Sequence, residues 1–265
     1  MQAPSTAKAR SRRWCEMPKI GQKSLLLFQE ASYSDTIKGL FGSALIAGYR
    51  LDEASGTVAA DYSGHAYNGA YSNVTLGQPT IGGGSLSALF VPASSSYVNI
   101  YSAGLAGAFN KDEMTIQFIM KAVNAAWWNA VATSRQFTIA ADVNNRVLCN
   151  LASGAPNVLA LSYTGGGTTD VLSIPTSTTS PFVVTLTVSK SNDRIRIYKD
   201  GVKVGADATG VGSWTGALAA TTAVIGAAST GGTAGHAGWI SNLFILNKEA
   251  TQAEITTAMP PLAAS

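Results

Sequence analysis

The stretch Arg194-Ile195-Arg196-Ile197-Tyr198-Lys199-Asp200-Gly201-Val202-Lys203-Val204 decides the fold class of this chain. Successive side chains of a strand point to opposite faces, so Ile195, Ile197 and Lys199 share one face and Arg196 and Tyr198 the other. Asp200-Gly201 supplies the two positive φ angles of a type I′ turn, which joins antiparallel strands. The segment therefore predicts a hairpin.

Upstream, the same alternation, or a short apolar run bounded by turn residues, recurs through most of the chain. It predicts strands at Ala44–Leu51, Ala88–Val91, Tyr97–Tyr101, Met114–Lys121, Gln136–Ala141, Arg146–Leu151, Val158–Tyr163, Val171–Ile174 and Phe182–Ser189. Downstream follow Ala223–Ala227 and Ala237–Asn247. Two short helices flank the strands. Ser34 is placed to cap one in which Ile37, Leu40 and Phe41 share a face, and Thr251 and Glu254 have capping-box spacing before Pro260-Pro261. With no alternation of strands and long helices, the simplest architecture is all-β, an antiparallel β-sandwich.

The composition fits. Apolar residues make up 46% of the 265 and charged residues only 12%, which excludes a disordered chain. The net charge is +3, but Lys8, Arg10, Arg12, Arg13, Lys19 and Lys23 against Glu16 give residues 1–23 a charge of +5, leaving −2 for the rest. The basic character belongs to an N-terminal arm, where Arg10, Arg12, Arg13 and Trp14 are the candidate contacts to a partner. Cys15 and Cys149 form no metal-binding or redox motif. No run approaches the ~20 apolar residues of a membrane helix, and Leu25–Phe28 is too short for a signal-peptide core, so export within a particle released by lysis is expected.

The order of these pieces resembles the laminin-G-like jelly rolls of the concanavalin-A-like superfamily. The residues that carry the resemblance are Tyr49-Arg50-Leu51-Asp52-Glu53, Asp61-Tyr62-Ser63-Gly64, Ala88-Leu89-Phe90 with Tyr97-Val98, Met114–Phe118, the Asp200-Gly201 hairpin, Ile225-Gly226 and Gly238–Ile245. The resemblance implies a lectin-like jelly roll over residues 43–258, preceded by an arm and connector helix at 1–42 and followed by a tail at 259–265. It also implies a calcium site at the rim, for which Asp61 is the one matching ligand, although Ile240-Ser241-Asn242 stands where the family often has an acidic pair and Asp61 alternatively braces its own turn through an Asx-type hydrogen bond. No other cofactor is expected.

Catalytic patterns are missing. Relatives of this fold that hydrolyse glycans need two carboxylates facing one scissile bond, and no E-x-D-x-x-E spacing occurs. Asp112 and Glu113 are adjacent and would face opposite ways. His65 and His236 sit in Gly-rich turns with no nucleophile elbow. Gly165-Gly166-Gly167 and Gly231-Gly232 read as rim loops rather than phosphate cradles. Trp127-Trp128, with His65 and His236, are the candidate contacts for a glycan or partner, because an exposed aromatic can stack on a sugar ring or fill a pocket; the alternative for the tryptophans is that they cap the sandwich core. The expected protein is a non-enzymatic structural or adhesion component of a virion, by analogy a tailed-phage decoration, tail or fibre protein. Its expected partners are other virion proteins, reached through the arm, and host-surface glycans. Weakly charged edge strands add the expectation of a homo-oligomer; neither a membrane nor sequence-specific nucleic acid is expected. The alternatives are a free carbohydrate-binding lectin and, remotely, a glycoside hydrolase.

Overall fold

A computed structural model describes residues 32–129, 133–151 and 155–264. The turn at 200–201 has the expected form, with φ +50° at Asp200 and +75° at Gly201. It lies at the edge of an antiparallel sheet whose order is β14 (Val202–Ala208), β13 (Arg194–Lys199), β12 (Phe182–Ser189), β7 (Glu113–Ala122), β16 (Gly238–Leu246), β5 (Leu86–Phe90) and β4 (Thr75–Pro79). β16 pairs with β5 through its first half and with β1 (Leu45–Tyr49) through its second. The switch occurs at a bulge where Asn242 adopts φ +50° and its N–H donates to the Arg50 carbonyl at 2.9 Å.

The second sheet runs β11 (Thr168–Pro175), β10 (Val158–Gly165), β9 (Asn145–Leu151), β8 (Ser134–Asp142), β15 (Ala223–Ile225), β6 (Tyr97–Asn99), β3 (Gly69–Ser72) and β2 (Val58–Ala59). Between the sheets lies the main core, in which Ile116, Phe118, Leu186, Ile195 and Ile197 of the first meet Phe137, Ile139, Val147, Leu161 and Tyr163 of the second. This is the antiparallel sandwich that the alternation predicts.

The first sheet buries its outer face as well. Helix α1 (Tyr33–Phe41) and helix α3 (Gln252–Thr257) bring Ile37, Phe41 and Ile255 onto Tyr198, Phe244 and Leu246. Tyr198, expected opposite Ile197, is there and is covered rather than exposed. The cap of α1 is Ser32 rather than Ser34: Ser32 Oγ accepts from Asp35 N at 3.3 Å, while Ser34 is buried within the first turn. The capping box of α3 forms as expected, Thr251 Oγ1 accepting from Glu254 N and Glu254 Oε2 accepting from Thr251 N.

The connector helix α1 packs onto the sandwich. The C-terminal tail belongs to it too, since Gly83 N donates to the Pro261 carbonyl and Ala263 N to the Ile81 carbonyl. Strands β2, β3 and β4 and the short helix α2 (Ala103–Ala108) are additions to the expected set. Their sequences are short and rich in Gly, Ser, Thr and Ala, and only pairing with neighbouring strands, or the Ser102 cap on Leu105 N, selects their conformation.

Candidate recognition surface

The expected site residues do not assemble into one surface. The Asp61 carboxylate accepts four hydrogen bonds: Oδ1 from Gly48 N and Ser63 N, both at 2.9 Å, and Oδ2 from Ser63 Oγ at 2.7 Å and Tyr67 N at 2.9 Å. Its charge is used to brace the loop between β2 and β3 against β1, in the manner of an Asx turn. Among the described residues no cluster of three or more His, Cys, Asp or Glu side chains is placed to hold a metal ion. His65 is exposed at the tip of this loop and stacks on Tyr67, ring centroids 5.4 Å apart at 17°.

Trp127, Trp128 and His236 are buried, which corrects the expectation of exposed contacts. Trp128 is fully enclosed, its Nε1 donating to the Thr178 carbonyl at 2.9 Å and its ring packing near Phe182. Trp127 meets Trp128 edge-on at 4.7 Å and His236 edge-on at 5.2 Å. His236 is 0% exposed. Apolar area explains the result: two indoles beside the open end of a sandwich gain more by closing the core than by facing water. Trp127 still borders an open depression of about 410 Å³ with Pro92, Ser134 and Gly235. The Gln136 amide donates to His236 Nδ1 at 3.3 Å, while His236 Nε2 and Gln136 Oε1 find no partner among the described residues. Burial lowers the His236 pKa to about 3, which keeps the ring neutral.

Arg10, Arg12, Arg13 and Trp14 lie outside the described residues. Asp112 and Glu113 are engaged in turns, Asp112 beside Lys190 at 3.8 Å and Glu113 accepting from Ser191 N at 2.9 Å.

Sequence reasoning missed a different pair. Five arginines fall among the described residues. Arg194 forks onto Glu249 at 2.7 and 2.8 Å, Arg196 reaches Asp207 at 2.7 Å, and Arg50 lies 3.3 Å from Asp52. Arg135 on β8 and Arg146 on β9 have no carboxylate partner among the described residues. Both border a depression of about 280 Å³ on the second sheet, lined also by Ala140, Ala141, Ala219, Thr138 and Thr221. Arg135 Nη1 lies 3.5 Å from Thr138 Oγ1, and the Nε atoms of both arginines are buried without a hydrogen-bond partner. Asp142 borders the same depression, but its oxygens accept from Asn144 N at 2.7 Å and from Asn145 Nδ2 at 3.0 and 3.1 Å. The alternation that makes β8 and β9 strands was visible in the sequence; that the two arginines border one depression was not, because it depends on which strands pair.

Solved structures resemble this sandwich. The binding domain of botulinum neurotoxin serotype D superposes with a TM-score of 0.56 at 12% identity, over 82% of this chain and 51% of that one. The binding domain of botulinum neurotoxin DC, solved in complex with rat synaptotagmin II, gives 0.58 at 15% identity, over 81% of this chain and 50% of that one. Trypanosoma rangeli sialidase gives 0.56 at 13% identity, over 83% of this chain and 33% of that one. The likeness is one of fold. The chain spans about half the length of the toxin binding domains and a third of the sialidase chain. No protein-family model and no curated protein sequence matches it.

Proposed function

We propose that this chain is a non-enzymatic adhesion protein displayed on a virus particle, tethered through its basic N-terminal arm and presenting the sandwich to a glycan-bearing surface. The observation that carries the reading is the inequality of the two outer sheet faces. One is closed by the protein's own helices α1 and α3 and by its C-terminal tail. The other has a depression bordered by two arginines without carboxylate partners among the described residues, which marks that patch as the one left for recognition. The likeness in fold to toxin binding domains supports a binding role by analogy only. Glu113, Glu249 and Asp207 are engaged in turns and ion pairs.

The test has two parts. The full chain and a chain beginning at Ser32 are incubated with purified particles; the tether predicts that only the full chain is retained. The full chain is also applied to intact cells and to soluble polysaccharides, where binding without release of reducing sugar is expected. Sustained sugar release, or equal particle retention of both chains, would overturn the corresponding half of the proposal.

A further inference from the structure

Arginine keeps its proton throughout the physiological pH range, so it cannot relieve a like-charge contact by becoming neutral. Two guanidiniums that border one depression, near enough for the charge of Arg146 to act on Arg135, repel each other, and an anion held between them would relieve that repulsion. The fold does not need this arrangement. The neighbouring positions of the same face are filled by Thr138, Ala140 and Ala160, which pack without charge. Burial and the proximity of Arg146 both press the Arg135 pKa downward. The other arginines show what the chain does when a guanidinium serves structure: Arg194, Arg196 and Arg50 each lie beside a carboxylate.

We propose that Arg135 and Arg146 form an anion-binding site at the depression they border on the second sheet, and that its ligand is an acidic glycan whose carboxylate or sulfate bridges the two guanidiniums. The fork of N–H donors on each arginine matches the oxygen spacing of either group. The depression, at about 280 Å³, is smaller than a drug-sized cavity and suits one sugar ring or its charged substituent. Ala140, Ala141 and Ala219 line it with small side chains, and the exposed Thr221 lies beside them. Asp142 borders the same depression with its oxygens turned onto Asn144 and Asn145, and its one negative charge is outweighed by the two guanidiniums. The inference rests on the adhesion reading and gives it a chemical class of ligand.

The experiment uses the full chain, its R135Q and R146Q variants, and the charge-retaining R146K. Binding is measured to immobilised sialylated, uronate-containing, sulfated and neutral oligosaccharides, with thermal unfolding in low-millimolar sodium sulfate against sodium chloride of equal ionic strength. The site predicts binding to acidic but not neutral sugars, weakened roughly 10- to 100-fold by either glutamine substitution and less by R146K. It also predicts a rise in Tm with sulfate that R135Q and R146Q lose. The carboxylated and sulfated panels show which anion is preferred. Neutral sugars bound equally well by all variants would overturn the anion site while leaving the adhesion reading intact. A sulfate response equal in wild type and variants, with no sugar bound, would overturn the site and withdraw support from the adhesion reading as well.

Discussion

The side-chain amide of Gln117, at the centre of β7, donates to the hydroxyl of Tyr33 in α1 at 3.0 Å. The same Nε2 donates to the Ala258 carbonyl at 2.9 Å, and Oε1 accepts from Thr185 Oγ1 at 2.9 Å, so one buried glutamine joins the outer face of the first sheet to both terminal helices. Replacing Gln117 by leucine would leave the Thr185 hydroxyl unpartnered and is expected to cost about 1–3 kcal/mol. Tyr33→Phe leaves the glutamine bonded to Ala258 and should cost about 1 kcal/mol. Urea unfolding of both variants and of the double variant checks the ranking; equal losses would mean that the glutamine acts by packing alone.

Asp61→Ala removes the acceptor of four hydrogen bonds and leaves the Gly48, Ser63 and Tyr67 N–H groups without it. A loss of about 2–4 kcal/mol is expected, with cleavage by a nonspecific protease concentrated between residues 58 and 69. Because those donors already occupy both carboxylate oxygens, millimolar calcium should not change the Tm of the wild-type chain. A rise with calcium would show that the ion displaces Ser63 and Tyr67.

His236 sets a pH dependence. Its pKa is depressed to about 3 in the folded state and is near 6.5 unfolded, so below pH 6.5 the unfolded chain takes up a proton that the folded chain refuses. Stability attributable to this residue is therefore complete above about pH 6.5 and declines as pH falls, at up to about 1.4 kcal/mol per pH unit. Asp207, held near 2 by Arg196 and Lys203, titrates below that window, whereas burial raises Asp52 and Asp170 toward it with the opposite effect on stability, so the histidine's share is the part of the slope that its replacement removes. Denaturant titrations at several pH values should show the slope in wild type and its loss in His236→Phe, which keeps the aromatic contacts with Trp127 and Phe90.

Gly226 follows β15 with φ +84°, and a Cβ at that position would lie 2.1 Å from the Phe90 ring. Backbone strain and overlap combine, so Gly226→Ala is expected to destabilise by about 2–5 kcal/mol. Gly205 also has positive φ, but nothing lies near its Cβ, and Gly205→Ala should cost only about 1 kcal/mol. Comparing denaturation midpoints of the two variants separates collision from conformation.

Much of the fold was legible because its signals are local. Ile195, Ile197, Asp200 and Gly201 are neighbours in sequence, and alternation and turn chemistry act between neighbours; Thr251 and Glu254 set a helix start for the same reason. The long inner strands, such as Phe182–Ser189, were readable from unbroken apolar and β-branched runs. Burial at the ends of the sandwich was not legible. Nothing local distinguishes an exposed Trp127 from one closing the core, or a turn histidine from one enclosed between Phe90 and Trp127. Those outcomes depend on the apolar area that non-neighbouring segments bring together. The sequence by itself determined an antiparallel sandwich with a hairpin at 200–201 and a capped C-terminal helix. Only the tertiary structure decided that Trp127, Trp128 and His236 close the core, and that Arg135 and Arg146 border one depression on the second sheet. Contacts of that kind depend on strand order and register across long sequence separations, which no local pattern encodes.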